Sequence, residues 1–272
     1  MMRMFVRRSL SVVATTGTAA AICLAAGGAA HASSAYYVAL GDSYSSGVGS
    51  GSYLSSYGSC DVSSSAYPYL WDAANSPSSF TDNACSGATT STVESGQLSG
   101  LSSSTTLVSL TVGGNDVGFS SVMETCILEG TSACESAVSN AESEAENTLP
   151  GELDTLYSDI QADAPNAHVV VIGYPEFYDL SQSGTCAGLS YDSRSAINGG
   201  ADTLDSVIST EVAKYSGFSY VDIRPYFSGH EICDSSAWLH SFVLTDTSES
   251  YHPTATGQAD AYYPAFQAGV AE

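Results

Sequence analysis

The stretch that decides the fold is Tyr36-Tyr37-Val38-Ala39-Leu40-Gly41-Asp42-Ser43, near the start of the chain. Its first five residues form a short apolar run, which is typical of a β-strand covered on both faces. The run ends abruptly at Gly41, and glycine permits the sharp turn that leads from a strand into a helix. The pattern therefore predicts that Ser43 lies at a helix amino terminus, where the helix dipole stabilises negative charge.

Further apolar runs recur along the chain, and segments with helical spacing separate them. The apolar runs cover residues 107–112, 168–173 and 220–223. The helical segments cover residues 137–149, 152–162, 197–214 and 256–268, and Pro150 is expected to end the first of them. Strands that alternate with helices predict βαβ units and a parallel sheet. Since no internal repeat or linker divides the sequence, we expect a single α/β domain over residues 33–272.

The first 32 residues have the pattern of a secretory signal peptide. A basic start with Arg3, Arg7 and Arg8 precedes a moderately apolar run of small residues, and Ala30-His31-Ala32 is a cleavage site of the A-x-A type. The alternative is a retained membrane anchor, but no second apolar segment follows. We therefore predict an extracellular, secreted protein without stable membrane insertion.

The charge balance excludes several classes of partner. The chain has 6 Lys and Arg residues against 29 Asp and Glu residues, and the first 32 residues hold three of the cations and no acid. Three cations against 29 acids leave a formal charge of −26 on residues 33–272. Such a field repels phosphate backbones and anionic membrane surfaces. We expect no nucleic-acid partner.

Six cysteines lie beyond residue 32, and an even number in an exported chain predicts three disulfides. Several pairings are formally possible, but loop closure favours near neighbours in the sequence. The favoured pairs are Cys60–Cys85, Cys126–Cys134 and Cys186–Cys233. The spacings contain no C-x-x-C pair and do not suit zinc, so we expect no metal site.

Chemistry-bearing residues follow the predicted strands. In parallel sheets ligands bind outside the carboxyl ends of the strands. Ser43 follows the first run, Asn115 follows the run at 107–112, and His252 lies near the chain end. A serine hydroxyl needs a base, histidine titrates near neutrality, and an amide can donate to an oxyanion. The set predicts acyl transfer without a cofactor.

These segments resemble the GDSL family of SGNH hydrolases. Residues 41–47 are similar to its first block, with Tyr44 where leucine is usual. Residues 85–89, 113–116 and 252–257 are similar to its later blocks, in the family's order. The six cysteines and the tyrosine-rich, lysine-poor composition further resemble the secreted actinobacterial lipases and esterases of this family.

The resemblance implies a fold and a set of roles. The fold would be a flavodoxin-like three-layer α/β/α sandwich with about five parallel strands. Ser43 would be the nucleophile and His252 the general base. The backbone amides of Ser43 and Gly87 and the side chain of Asn115 would form the oxyanion hole.

One position departs from the family pattern. The acid that orients the histidine usually stands three residues before it, and that position is Glu249. Either the Glu249 carboxylate completes a triad, or a main-chain carbonyl of Glu249 or Ser250 completes a dyad. The sequence leaves both arrangements open.

The function that these features predict is a monomeric, secreted serine carboxylic ester hydrolase, a lipase or esterase. It would act on lipid or short-acyl esters through an acyl-enzyme. Action on phospholipids or on acylated polysaccharides is the alternative at the same site. An alternative of another class is a non-catalytic extracellular binding protein, whose mark would be a lost serine, asparagine or histidine. All three are present in the sequence.

Overall fold

The structure is a computed structural model that describes Met1 and residues 34–272. Apart from Met1, the predicted signal peptide over residues 1–32 therefore lies outside the described residues. Residues 34–272 belong to one unit. No helix in the described part of the chain is long and apolar enough to cross a membrane.

A parallel sheet of five strands forms the centre of this unit, in the order β2-β1-β3-β4-β5. The strands are β1 Tyr36–Gly41, β2 Ser79–Asp82, β3 Leu107–Thr111, β4 His168–Ile172 and β5 Phe218–Val221. All five residues of β3 are buried, as a strand covered on both faces requires. The strand order is that of flavodoxin-like folds, which confirms the predicted fold class.

The edges of the sheet differ from the sequence prediction. Strand β2 was not predicted because it has four residues, lies at an edge and contains one large apolar side chain, Phe80. Strand β5 begins at Phe218, two residues before the predicted start. Edge strands bury less surface, so their apolar patterns are weaker.

Ten helical segments connect and cover the described strands. Their bounds are α1 Ser43–Ser46, α2 Tyr67–Asn75, α3 Thr90–Gly96, α4 Phe119–Leu128, α5 Thr131–Asn147, α6 Leu149–Asp163, α7 Tyr191–Val212, α8 Arg224–Phe227, α9 Ala255–Gly257 and α10 Tyr263–Val270. Short 3₁₀ turns cover Ser55–Cys60, Leu98–Gly100 and Thr247–Glu249, and a π turn covers Gln258–Tyr262.

The sequence predicted that Pro150 ends the preceding helix. In the structure Pro150 instead begins the next helix. Helix α5 ends at Asn147, and Pro150 lies in the first turn of α6. A proline is well tolerated there because the first amides of a helix have no intrahelical partner. The predicted boundary at Leu149 is therefore wrong by two residues.

The helices form layers on the sheet. Helices α2 and α10 contact each other, and the rings of Tyr37 in β1 and Phe266 in α10 stack with centroids 5.4 Å apart. Helix α6 contacts both α3 and α7, and α5 packs on α7. This arrangement leaves the carboxyl ends of β1 and β3 next to each other, with Ser43 and Asn115 just beyond them.

Three disulfides join the six cysteines in the pairs that the sequence favoured. They are Cys60–Cys85, Cys126–Cys134 and Cys186–Cys233. The first closes a loop of 25 positions and ends two residues before Gly87. This disulfide therefore restrains the segment that carries Gly87.

Candidate active site

Ser43 is the first residue of α1, immediately after the turn at the end of β1. Gly41 has a φ of +122°, and a Cβ atom there would lie 2.4 Å from the Thr111 carbonyl oxygen. Only glycine fits this turn. Asp42 caps α1 and accepts a hydrogen bond of 2.9 Å from the Tyr44 amide. The turn therefore holds the Ser43 side chain at the end of the sheet.

Two buried glutamines hold this turn from either side. Gln97 accepts from the Gly41 amide at 2.7 Å and donates to the Gly41 carbonyl at 2.9 Å. Gln258 accepts from the Tyr67 amide at 2.9 Å and donates to the Tyr44 carbonyl at 3.0 Å. Each glutamine side chain thus accepts one hydrogen bond from a main-chain N–H group and donates one to a main-chain carbonyl, as a neighbouring β-strand does. Sequence reasoning missed both residues because glutamines in helical or loop segments carry no distinctive pattern.

His252 lies against Ser43, although 209 positions separate them in the sequence. The distance from His252 Nε2 to Ser43 Oγ is 2.7 Å, and the distance from His252 Nδ1 to the Ser250 carbonyl oxygen is 2.9 Å. A carbonyl oxygen only accepts, so we assign the imidazole proton to Nδ1. Nε2 is then free to accept the proton of the serine hydroxyl.

The surroundings of His252 favour its neutral form. Burial of the ring away from water lowers the pKa of His252 to about 4. The hydrogen bond to the Ser250 carbonyl acts in the opposite direction and raises the pKa. The neighbouring His240 lowers it further. Desolvation disfavours a charged imidazolium. His252 is therefore in the proton-accepting form at neutral pH.

Glu249 lies in the expected segment, but its carboxylate binds elsewhere. Tyr53 Oη donates a hydrogen bond of 2.8 Å to Glu249 Oε1 and accepts one of 2.9 Å from the Gly49 amide. The Glu249 carbonyl accepts from the His252 amide at 3.2 Å. The sequence left open whether the Glu249 carboxylate or a main-chain carbonyl contacts His252 Nδ1. In the structure the group beside Nδ1 is the Ser250 carbonyl.

The segment before His252 is fixed by contacts that the sequence did not reveal. Tyr251 has a φ of +66°, which is unfavourable for a residue with a side chain. Its carbonyl accepts from Tyr44 Oη at 2.8 Å, and its amide donates to the His240 carbonyl at 3.1 Å. His240 Nε2 in turn donates to the Gly49 carbonyl at 2.7 Å. These bonds tie the histidine segment to the turn that carries Ser43.

The predicted oxyanion donors line a common cavity with Ser43 and His252. Within the described chain, the amides of Ser43 and Gly87 donate to no protein group. The Asn115 side chain donates one hydrogen bond, of 3.0 Å, to the Ala88 carbonyl, which leaves its second N–H available. Three N–H donors therefore remain near the serine hydroxyl.

Tyr174 connects the two strand ends beneath this cavity. Its hydroxyl accepts from the Gly114 amide at 3.0 Å and donates to Asp42 Oδ2 at 2.5 Å. Burial raises the pKa of Asp42 to about 7, although the hydrogen bond from Tyr174 lowers it. The Gly114 amide is thereby engaged and is not a fourth oxyanion donor.

Two apolar cavities open from the site. The first has a volume of about 210 Å³ and extends between α5 and α7. Its apolar lining comprises Val117, Phe119, Val122, Met123, Val138, Ala141, Ala145, Phe177, Ile197, Ala201 and Leu204. The second, of about 490 Å³, lies between α4 and residues 242–252, and His252 contributes to both. Apolar walls of this kind accommodate hydrocarbon chains.

Comparisons with known proteins identify a family and several relatives of this chain. The family model for GDSL-like Lipase/Acylhydrolase matches residues 39–259. The chain is 53% identical to Lipase 1 of Streptomyces coelicolor over 254 residues, covering 93% of this chain and 94% of the relative. The crystal structure of phospholipase A1 from Streptomyces albidoflavus NA297 has a TM-score of 0.83 and 55% identity, covering 86% of this chain and 98% of that one. The extracellular lipase of Streptomyces rimosus has a TM-score of 0.82 and 49% identity, with coverage of 86% and 98%.

Proposed function

The chain belongs to the GDSL-like lipase/acylhydrolase family and is an ester hydrolase, and from this premise we propose that it is a secreted enzyme that removes acyl chains from glycerolipids. The observation that carries the proposal is the 2.7 Å contact between Ser43 Oγ and His252 Nε2 beside an apolar cavity. A nucleophile with its base at the entrance of a hydrocarbon-sized cavity suits an acyl ester.

In the proposed reaction, His252 Nε2 takes the proton from Ser43 Oγ while the oxygen attacks the ester carbonyl carbon. The electron pair of the carbonyl bond moves to its oxygen, which the N–H groups of Ser43, Gly87 and Asn115 stabilise. The intermediate then collapses and expels the alcohol, which takes the proton from His252. Water, deprotonated by His252, hydrolyses the acyl-enzyme and regenerates the serine.

In this mechanism the Ser250 carbonyl takes the place of a carboxylate. Its hydrogen bond keeps the proton on Nδ1 of His252 and partly compensates the positive charge that the ring acquires. A carbonyl dipole stabilises an imidazolium less than a full negative charge does. The proposed site needs no group from a second chain, and we propose that the enzyme acts as a monomer.

The names of the relatives support a lipid as the substrate. The curated relatives are called lipases, and the relative of known structure at 55% identity is a phospholipase A1. The predicted signal peptide, the three disulfides and the extracellular relative from Streptomyces rimosus support export. Disulfides persist in oxidising compartments outside the cytosol.

The proposal is tested by lipid hydrolysis with the exported, oxidised protein. Fatty-acid release is measured from emulsified triacylglycerol and from phosphatidylcholine that carries different acyl chains at its two glycerol positions. We expect release from glycerolipids that is lost in Ser43→Ala. Hydrolysis of acetylated polysaccharide with no release from either lipid would contradict the substrate. Retention of the protein inside the cells would contradict export.

A further inference from the structure

Three large apolar side chains without a polar atom are exposed on the described surface. Among residues 34–272, the exposed large hydrophobic residues are three tyrosines and the three residues Leu128, Phe242 and Leu244. The last three are 71%, 43% and 82% exposed and have no polar side-chain atom. We call Leu128, Phe242 and Leu244 the apolar rim. Exposed apolar groups that lie together mark an interaction surface.

The apolar rim borders the entrance to the active site. Leu128 ends α4, and Phe242 lies on the segment opposite; both line the 490 Å³ cavity. His252 and Ser250 line the same cavity, and Leu244 follows two residues after Phe242. A body that covered the rim would therefore also cover the cavity that His252 lines.

The cations in the described part of the chain are engaged elsewhere. Arg194 is buried and donates to main-chain carbonyls, Lys214 pairs with Glu211, and Arg224 pairs with Asp202 and Asp222. None of the three lines the cavity beside the rim. The rim therefore offers no cation to an anionic headgroup.

Carboxylates flank the apolar rim instead. Glu124 lines the cavity, Glu129 follows Leu128, and Asp246 lies two residues after Leu244; all three are exposed. Carboxylates repel anionic lipids but attract the quaternary ammonium group of a zwitterionic lipid. The charge pattern thus complements a phosphatidylcholine surface.

We propose that the apolar rim docks the enzyme on the surface of a zwitterionic lipid aggregate, with the active-site opening facing the lipid. The inference rests on the proposed action on glycerolipids. Three side chains insert at the interface, and binding strength follows the apolar area that they bury. The carboxylates remain at the level of the headgroups. The ester bonds of the aggregate then lie close to the opening beside His252.

The test measures flotation with phosphatidylcholine vesicles, using Ser43→Ala protein so that the lipid stays intact. Adding Leu128→Ser and Leu244→Ser should weaken vesicle binding at least about tenfold, given the apolar area removed. Tyr36→Ser is the matched control because Tyr36 is 45% exposed at the opposite end of β1 from Ser43. The control should bind vesicles as the parent does.

Catalysis is measured separately with Leu244→Ser, because Leu244 lines neither cavity of the site. With Ser43 intact, this variant should hydrolyse a soluble short-chain ester at the parent's rate and lose activity only on vesicles. Unchanged vesicle binding in the rim variant, or stronger binding to phosphatidylglycerol than to phosphatidylcholine, would overturn the inference. So would a dimer, seen by sedimentation velocity, that the rim substitutions dissociate. Failure of the parent on soluble esters would instead contradict the proposed catalytic function.

Discussion

The hydroxyl of Tyr44 donates a hydrogen bond of 2.8 Å to the main-chain carbonyl of Tyr251, which joins residues 207 positions apart. Tyr44 follows Ser43, and Tyr251 precedes His252. The Tyr44 ring also lies 5.0 Å from the His252 ring, between centroids. Because Tyr251 has a positive φ, its conformation needs support from its surroundings. Tyr44 thus helps to set the distance between the two proposed catalytic groups.

Tyr44→Phe removes this hydrogen bond and keeps the ring. We expect kcat on a soluble ester to fall by up to about tenfold, because one neutral hydrogen bond contributes about 1 kcal/mol. The melting temperature, measured in parallel, should change by a few degrees at most. An unchanged kcat would contradict a positioning role for the hydroxyl.

Glu249→Ala separates the two arrangements that the sequence left open. The Glu249 carboxylate accepts a hydrogen bond from Tyr53, whereas His252 Nδ1 lies beside the Ser250 carbonyl. We therefore expect kcat to change by less than about tenfold, because one exposed hydrogen bond contributes about 1 kcal/mol. Tyr53→Phe breaks the same bond together with the one from the Gly49 amide, and it should likewise leave most of kcat intact. A loss of several orders of magnitude in Glu249→Ala alone would restore the carboxylate as the orienting group.

The pH dependence of kcat/KM should reflect the lowered pKa of His252. An imidazole accepts a proton only when neutral, so activity is full above its pKa and falls as the pH drops through it. With a pKa of about 4 in place of the ordinary 6.5, activity should persist well below pH 6. An acid limb centred near 6.5, with the fold intact by circular dichroism, would contradict the desolvated site.

The cavity between α5 and α7 should set the acyl-chain preference. Ala141 lines it, and Ala141→Leu would fill part of its volume. We expect kcat/KM for long-chain esters to fall at least about fivefold, because overpacking costs about 1–3 kcal/mol, while acetyl and butyryl esters change little. Ser139→Leu, on an exposed part of the same helix, is the control. Equal losses for short and long chains would exclude this role for the cavity.

Much of the fold could be predicted because buried parallel strands are nearly continuous apolar runs. The strands β1, β3 and β4 have this pattern, and Gly41 marks the turn after the first. Strand β2 could not be predicted, since four residues at a sheet edge leave too little pattern. Pro150 misled the prediction because proline both ends helices and begins them.

The candidate site was only partly predictable for a different reason. Ser43, Gly87, Asn115 and His252 stand in short motifs that the sequence displays directly. The group that accepts from His252 Nδ1 does not stand in such a motif, because every residue has a main-chain carbonyl. Only the three-dimensional course of the backbone places the carbonyl of Ser250 beside Nδ1. The Tyr44 contact is likewise tertiary, and the sequence revealed it only as a departure from the usual leucine.

The central claim, that Ser43 is a nucleophile activated by His252, is tested most directly by covalent labelling. The oxidised protein is incubated with a fluorophosphonate, and the modified peptide is located by mass spectrometry. We predict one adduct on Ser43, absent in Ser43→Ala and formed orders of magnitude more slowly in His252→Ala. An adduct on another residue, or no adduct in protein that still hydrolyses esters, would contradict the claim.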